Sequence, residues 1–263
     1  MNDHSISTLS IRDCRIRLMR GGAGNPLLML HGAGGAGTWL PFMARLATQF
    51  DVIVPEHPGF GESDTPAWLD TIADLANFYL DFLAVLDLDG VHLVGHSLGG
   101  WVAAELAVRN TSRLASLALI GAAGVHVAGV EQVDTFLAND EQRIRDLFHD
   151  QKLADETIAR ALRPELEDVA LKNRMATARL VWQPRSHDPH LRKWLHRIDV
   201  PTLLIWGEHD RLFPKEHAFA YQRLIPGAQV VVIADCGHLP QVEKAEACAA
   251  ALESFIGAKR IAA

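Results

Sequence analysis

Val91-His92-Leu93-Val94-Gly95-His96-Ser97-Leu98-Gly99-Gly100 is an apolar run that ends in Gly-x-Ser-x-Gly and passes into a helix-period segment, Leu98 to Arg109. A serine between a strand and a helix sits on a sharp turn. Side chains at Gly95 and Gly99 would collide where that turn is tightest. The turn also places Ser97 beside a helix N-terminus, whose free N–H groups favour developing negative charge. This is the expected setting of a nucleophile elbow, and it implies a strand buried on both faces.

Similar strands recur on either side of it. Ile11 to Met19, Pro26 to Leu30, Val52 to Pro55, Leu114 to Gly121, Thr202 to Trp206 and Gln229 to Ile233 are mostly continuous apolar runs, as in a parallel sheet covered by helices. Between them Ile72 to Leu86 carries Leu75, Phe78, Tyr79, Phe82 and Leu86 at helical spacing. The alternation predicts right-handed βαβ units around one mostly parallel sheet. It breaks between Val125 and Arg197, where Ile144, Leu147, Phe148 and Leu153 keep a helical period and no strand signal appears. The expected organisation is a core in two parts, 1–124 and 198–263, with a helical cap over 125–197.

A serine hydroxyl needs a base with a pKa near 7 and a group that orients the base. Of 13 histidines, His238 lies in Cys236-Gly237-His238-Leu239-Pro240, directly after the last predicted strand and before the final helix. Most of the others, His96 included, are read as bystanders. The acid is expected after a late strand, where Trp206-Gly207-Glu208-His209-Asp210-Arg211 offers Asp210, with Glu208 as its competitor. Gly121-Ala122-Ala123-Gly124, after an earlier strand, contains no carboxylate. The expected catalytic order is Ser97, Asp210, His238.

Four motifs, His31-Gly32-Ala33-Gly34-Gly35, His57-Pro58-Gly59-Phe60-Gly61-Glu62-Ser63-Asp64, the elbow, and Gly207-Glu208-His209-Asp210 with Gly237-His238, occur in this order. Through them the chain resembles the serine-nucleophile branch of the α/β-hydrolase superfamily, over nearly everything outside the insertion. The resemblance implies the α/β-hydrolase fold and an oxyanion hole made by the backbone N–H groups of Ala33 and Leu98. Loss of one such donor costs about 3–4 kcal/mol of transition-state stabilisation. His31 is expected to brace its loop through hydrogen bonds. Leu147-Phe148-His149-Asp150-Gln151-Lys152, Gly34-Gly35-Ala36-Gly37 and Leu98-Gly99-Gly100 are also similar to the C–C bond hydrolases that cleave vinylogous diketones from aromatic ring fission. That group usually has a tryptophan after the catalytic histidine, where this chain has Leu239. Arg160, Arg163 and Arg179 are candidate carboxylate binders in the cap. Gly34, Phe148, Met175 and Trp182 are the expected substrate-facing positions, and Phe136 adds apolar surface to the cap.

Composition narrows the rest. The 263 residues are 49% hydrophobic and 22% charged, with 25 Lys and Arg against 32 Asp and Glu, a net charge of −7. This suits an ordinary globular protein, and no basic cluster offers a nucleic-acid surface; a small-molecule substrate is what the resemblance implies. No apolar stretch reaches the roughly 20 residues of a membrane span. Three scattered cysteines, Cys14, Cys236 and Cys248, suggest a reducing, cytoplasmic location. No metal is expected, since HExxH and CxxC are missing. No cofactor is expected either, because the glycine-rich segment after Leu30 lacks the partners of a nucleotide fingerprint. The leading expectation is a serine hydrolase of a small carboxylic ester. Its alternatives are a C–C bond hydrolase and, in another class, a non-catalytic small-ligand receptor.

Overall fold

The computed structural model describes residues 4–260. The outermost residues of the expected core segments, 1–3 and 261–263, lie outside the described residues. The first part of the chain contains β1 (Ser5–Ile11), β2 (Cys14–Gly21), β3 (Asn25–Leu30), α1 (Pro41–Leu46), β4 (Phe50–Pro55), α2 (Ile72–Val85), β5 (Val91–His96), α3 (Leu98–Arg109) and β6 (Leu114–Ile120). Three helices follow, α4 (Asp140–Leu147), α5 (Gln151–Ala161) and α6 (Glu167–Val181). The chain then returns to the sheet with β7 (Thr202–Gly207), α7 (Glu216–Leu224), β8 (Gln229–Ile233), α8 (Pro240–Glu243) and α9 (Ala245–Arg260).

The strands form one eight-stranded sheet in the order β1-β2-β4-β3-β5-β6-β7-β8. β2 runs antiparallel to both β1 and β4, and every other pairing is parallel. Alternate side chains of a strand point to opposite faces, and the apolar runs are used in that way. Leu28, Leu30, Leu204 and Trp206 enter the core beneath α2, α3 and α7, whereas Leu27, Met29, Leu203 and Ile205 enter the core beneath α1 and α9. Each such side chain contributes roughly 1.5–3 kcal/mol by burial, which explains why β3 and β7 read as nearly continuous hydrophobic stretches. α2 begins where a capping box predicts. The Thr71 hydroxyl accepts from the Asp74 N–H (3.1 Å), and the Asp74 carboxylate accepts from the Thr71 N–H (2.8 Å).

The first strand differs from expectation. Ile11 to Met19 is not one strand but the turn and second arm of a hairpin, with Ile11 opposite Cys14 and Arg12 at φ 55°. β1 is an edge strand, exposed along most of its length, so its side chains lack the apolar run that marks the others. Between β6 and β7 the described residues contain helices and one isolated bridge, Gly124 to His187.

Candidate active site

The turn at Ser97 joins β5 to α3 with φ 55° and ψ −118°, a conformation that costs a non-glycine residue about 1–3 kcal/mol. Its surroundings hold it there. The Ser97 N–H donates to the Ile120 carbonyl (3.0 Å), and the Ser97 carbonyl accepts from Gly100, Trp101 and Ala123 (3.0, 3.1 and 3.1 Å). A Cβ on Gly95 would lie 2.3 Å from the Gly99 carbonyl oxygen. One on Gly99 would lie 2.3 Å from that of Leu30. The second glycine therefore clears the end of β3 rather than the turn itself.

Asp210 and His238 meet between the loops that follow β7 and β8. The Asp210 Oδ2 lies 2.8 Å from the His238 Nδ1, and the pair is buried. The other carboxylate oxygen accepts from the N–H groups of Leu212 and Phe213, both at 2.9 Å, so the carboxylate is fixed from both sides. This geometry puts the imidazole proton on Nδ1 and leaves Nε2 as an acceptor. Glu208 points elsewhere. Its side chain is partly exposed and lies 3.7 Å from the Lys215 ammonium. Gly121, after β6, makes room for the pair: a Cβ there would lie 3.2 Å from both the Asp210 Oδ2 and the His238 Nδ1. The empty acid position is thus where the Asp210–His238 pair packs.

The loop of Ala33 is braced by a chain of buried imidazoles. His31 donates from Nδ1 to the Gly32 carbonyl (2.7 Å) and accepts at Nε2 from the His57 N–H (2.9 Å). His57 donates from Nε2 to the His31 carbonyl (2.9 Å) and accepts from the Tyr79 hydroxyl. Burial pushes the His31 pKa down to about 4 and that of His57 well below its ordinary value. Gly32 lies against the elbow, where a Cβ would be 3.1 Å from the Ser97 Cβ. Ala33 is half-buried and Leu98 is buried at the start of α3.

Three further residues went unread in the sequence. His96, taken for a bystander, reaches the His238 carbonyl with its Nε2 at 3.0 Å, and burial lowers its pKa to about 3. Asn173 on α6 accepts from the Gly61 N–H (2.8 Å) and donates to the Gly34 carbonyl (3.0 Å). It was detectable as a polar residue on the buried stripe Asn173, Ala176, Leu180. Glu243 accepts from the N–H groups of Gly237 and Asp150, tying the His238 loop to the helical segment. The His238 N–H itself donates to the Leu147 carbonyl (2.8 Å).

The expected substrate-facing positions separate. The Gly34 carbonyl is held by Asn173. Phe148 is buried in a small core with Ile144, Ala154 and Leu239 and borders an open cleft of about 480 Å³ over Asp210. Met175 and Trp182 are 66% and 53% exposed and border neither this cleft nor a cavity of about 80 Å³ beside Phe213. α6 turns its other face to the core, a choice that periodicity alone does not reveal. Trp182 packs edge-on against Phe136 and beneath the Arg185 guanidinium. Arg160 and Arg163 are exposed, and Arg179 pairs with Asp70 at 2.7 Å. No contiguous metal motif is present, but the fold brings His149, His209 and Asp235 together.

Known proteins resemble this chain. The family model described as alpha/beta hydrolase fold matches residues 25–245. The chain is 32% identical over 268 residues to a 2-hydroxymuconate semialdehyde hydrolase of Pseudomonas putida, spanning 92% of this chain and 90% of that one. It is 31% identical over 252 residues to the dihydrolipoyllysine-residue acetyltransferase component of the acetoin cleaving system of Cupriavidus necator, spanning 92% and 67%. Among solved structures, a membrane phospholipase A described as a bacterial virulence factor superposes with a TM-score of 0.83 at 27% identity, covering 98% of this chain and 87% of that one.

Proposed function

Because the chain belongs to the alpha/beta hydrolase fold family, we propose that it is a serine hydrolase that forms an acyl-enzyme on Ser97 and acts on a small carboxylic ester. The observation that carries this reading is the buried 2.8 Å contact between Asp210 and His238, in the chain order and beside the elbow that such chemistry requires. Asp210 holds the His238 tautomer, so that Nε2 accepts the Ser97 proton as the hydroxyl attacks the acyl carbon. The N–H groups of Ala33 and Leu98 receive the oxyanion. His238 then returns the proton to the leaving alcohol, and the same base activates water for deacylation. Helices α4 to α6 serve as the cap that shapes the acyl pocket, with Phe148 bordering the same cleft as Asp210.

The test is a turnover screen of short and long acyl esters with a phosphonate probe. Wild type should release alcohol in a burst and be labelled once, and Ser97→Ala should do neither. Labelling of another serine would overturn the assignment. A ligand receptor would bind esters without the burst.

A second reading, C–C bond hydrolysis of a vinylogous diketone acid, is favoured by the Pseudomonas relative and by Arg185. The guanidinium lies over the Phe136 and Trp182 rings at 4.8 and 4.2 Å and pairs with Asp134. Its Nε is buried without a partner, and the cavity it borders also reaches Phe213, whose ring packs 5.6 Å from that of His238. A substrate carboxylate would meet a cation there. Turnover of such an acid, lost in Arg185→Gln while ester turnover persists, would select this reading.

A further inference from the structure

We infer that His149, His209 and Asp235 form a binding site for a divalent transition-metal ion, Zn(II) by its chemistry, at the joint between the helical insertion and the sheet loops. It is independent of the serine chemistry proposed above. The three residues come from three separate places, the turn between α4 and α5, the loop after β7 and the loop after β8. Each offers one ligand atom, and these atoms lie within 4.8 Å of one another. The His149 Nε2 is 4.0 Å from the Asp235 Oδ1, and the Glu208 carboxylate stands 3.7 Å from the His209 Nε2 as a further oxygen donor.

Two imidazoles and a carboxylate suit zinc, copper or nickel and disfavour calcium or magnesium, which prefer oxygen ligands. With Zn–N distances of ~2.0–2.1 Å, tetrahedral ligand atoms are separated by about 3.4 Å. The cluster therefore has to contract by little more than one ångström. The imidazole centroids stack at 4.2 Å with 14° between the ring planes, so their nitrogen lone pairs lie in nearly parallel, separated planes. One ring must turn for both to reach an ion, and side-chain exposures of 40% and 46% leave that rotation open.

The surroundings accept a cation. His149 and His209 border the 480 Å³ cleft, which gives an ion and its waters a path from solvent. Two arginines border the same cleft, yet both are matched by carboxylates. Arg145 pairs with Glu141 (2.8 Å) and Asp155 (2.7 Å), and Arg211 with Asp146 (3.3 Å). Asp235 lies three residues before His238 and His209 directly precedes Asp210. A bound ion would thus link the insertion to both loops that carry the acid and the base.

The experiment is calorimetric titration of chelator-treated, full-length protein with Zn(II), repeated with Co(II) to read coordination from its visible absorption. One ion should bind per chain in the micromolar range. His149→Ala and His209→Ala should each weaken it by at least the roughly 10–100-fold typical of disturbed metal surroundings, and Asp235→Asn should weaken it less. Thermal melts establish that the variants are folded, and the single substitutions sit on exposed side chains. Absence of binding at millimolar Zn(II) overturns the site. So does undiminished binding in folded His149→Ala and His209→Ala, which would assign the ion to another pair such as His126 and His187, whose ring centroids are 5.2 Å apart.

Discussion

The His96 imidazole holds the backbone of His238: its Nε2 lies 3.0 Å from the His238 carbonyl oxygen, across 142 residues of chain. The residue before the elbow serine therefore fixes the loop that carries the proposed base, and one turn sets the position of both. His96→Phe should leave that buried carbonyl without its donor, at a cost of about 1–3 kcal/mol. Ester kcat should fall while KM changes little, with the stability loss read by denaturant titration. An unchanged kcat would show that the loop is held by other contacts alone.

Ser97→Gly should separate chemistry from strain. Hydrolysis should fall by on the order of 10⁴–10⁶-fold, as for other triad nucleophiles. Stability should rise by about 1 kcal/mol, because glycine tolerates the φ of 55° that serine adopts under strain. A higher Tm together with lost turnover is the expected pair of results.

Asp210→Asn should lower kcat by roughly 10⁴-fold. Its amide oxygen can still accept from Leu212 and Phe213, but its NH₂ then faces His238 and drives the imidazole proton to Nε2. Glu208→Gln should stay within a few-fold of wild type. Comparable losses in the two variants would move the acid to Glu208.

Asn173→Ala removes the partner of both the Gly61 N–H and the Gly34 carbonyl. Unfolding free energy should drop by about 1–3 kcal/mol, and kcat/KM should fall through the loosened Ala33 loop. Met175→Ala, two residues on and facing solvent, should be close to neutral in both measurements.

Stability should decline in mild acid for a nameable reason. His31 and His96 are held neutral by burial, with pKa values near 4 and 3, against 6.5 for an ordinary histidine. Below pH 6.5 the unfolded chain takes up protons that the folded one refuses. Each group therefore removes stability as pH falls from 6.5 towards its folded pKa, about 2 kcal/mol apiece by pH 5. Urea midpoints between pH 7 and 5 would measure it, and a flat profile would mean that these imidazoles take up protons as readily in the folded chain as in the unfolded one.

The elbow was legible because its serine, its glycines and both flanking elements lie within one short stretch. His238 was legible from its place after the last strand, and Asp210 from its place after β7, although only the fold separates it from Glu208. What stayed hidden acts across long separations. Glu243, Asn173 and His96 serve the site through contacts to backbone atoms 93 to 142 residues away, and no local pattern records such a partner. The hairpin at Arg12 was missed for a different reason. Its outer strand is mostly exposed, so the apolar run that announces a buried strand is lacking.

The strand order has a kinetic consequence. Only β1 and β2 pair through a tight turn, whereas the parallel pairings from β4 to β8 close through crossovers. Topologies dominated by such distant pairings fold slowly, because chain entropy is lost before the contacts reward it. Ser97, Asp210 and His238 hang from β5, β7 and β8, so nothing short of the completed sheet assembles them. During refolding from urea, helical ellipticity should recover well before hydrolysis does, and enzymatic activity would then serve as a clock for the last strand to dock.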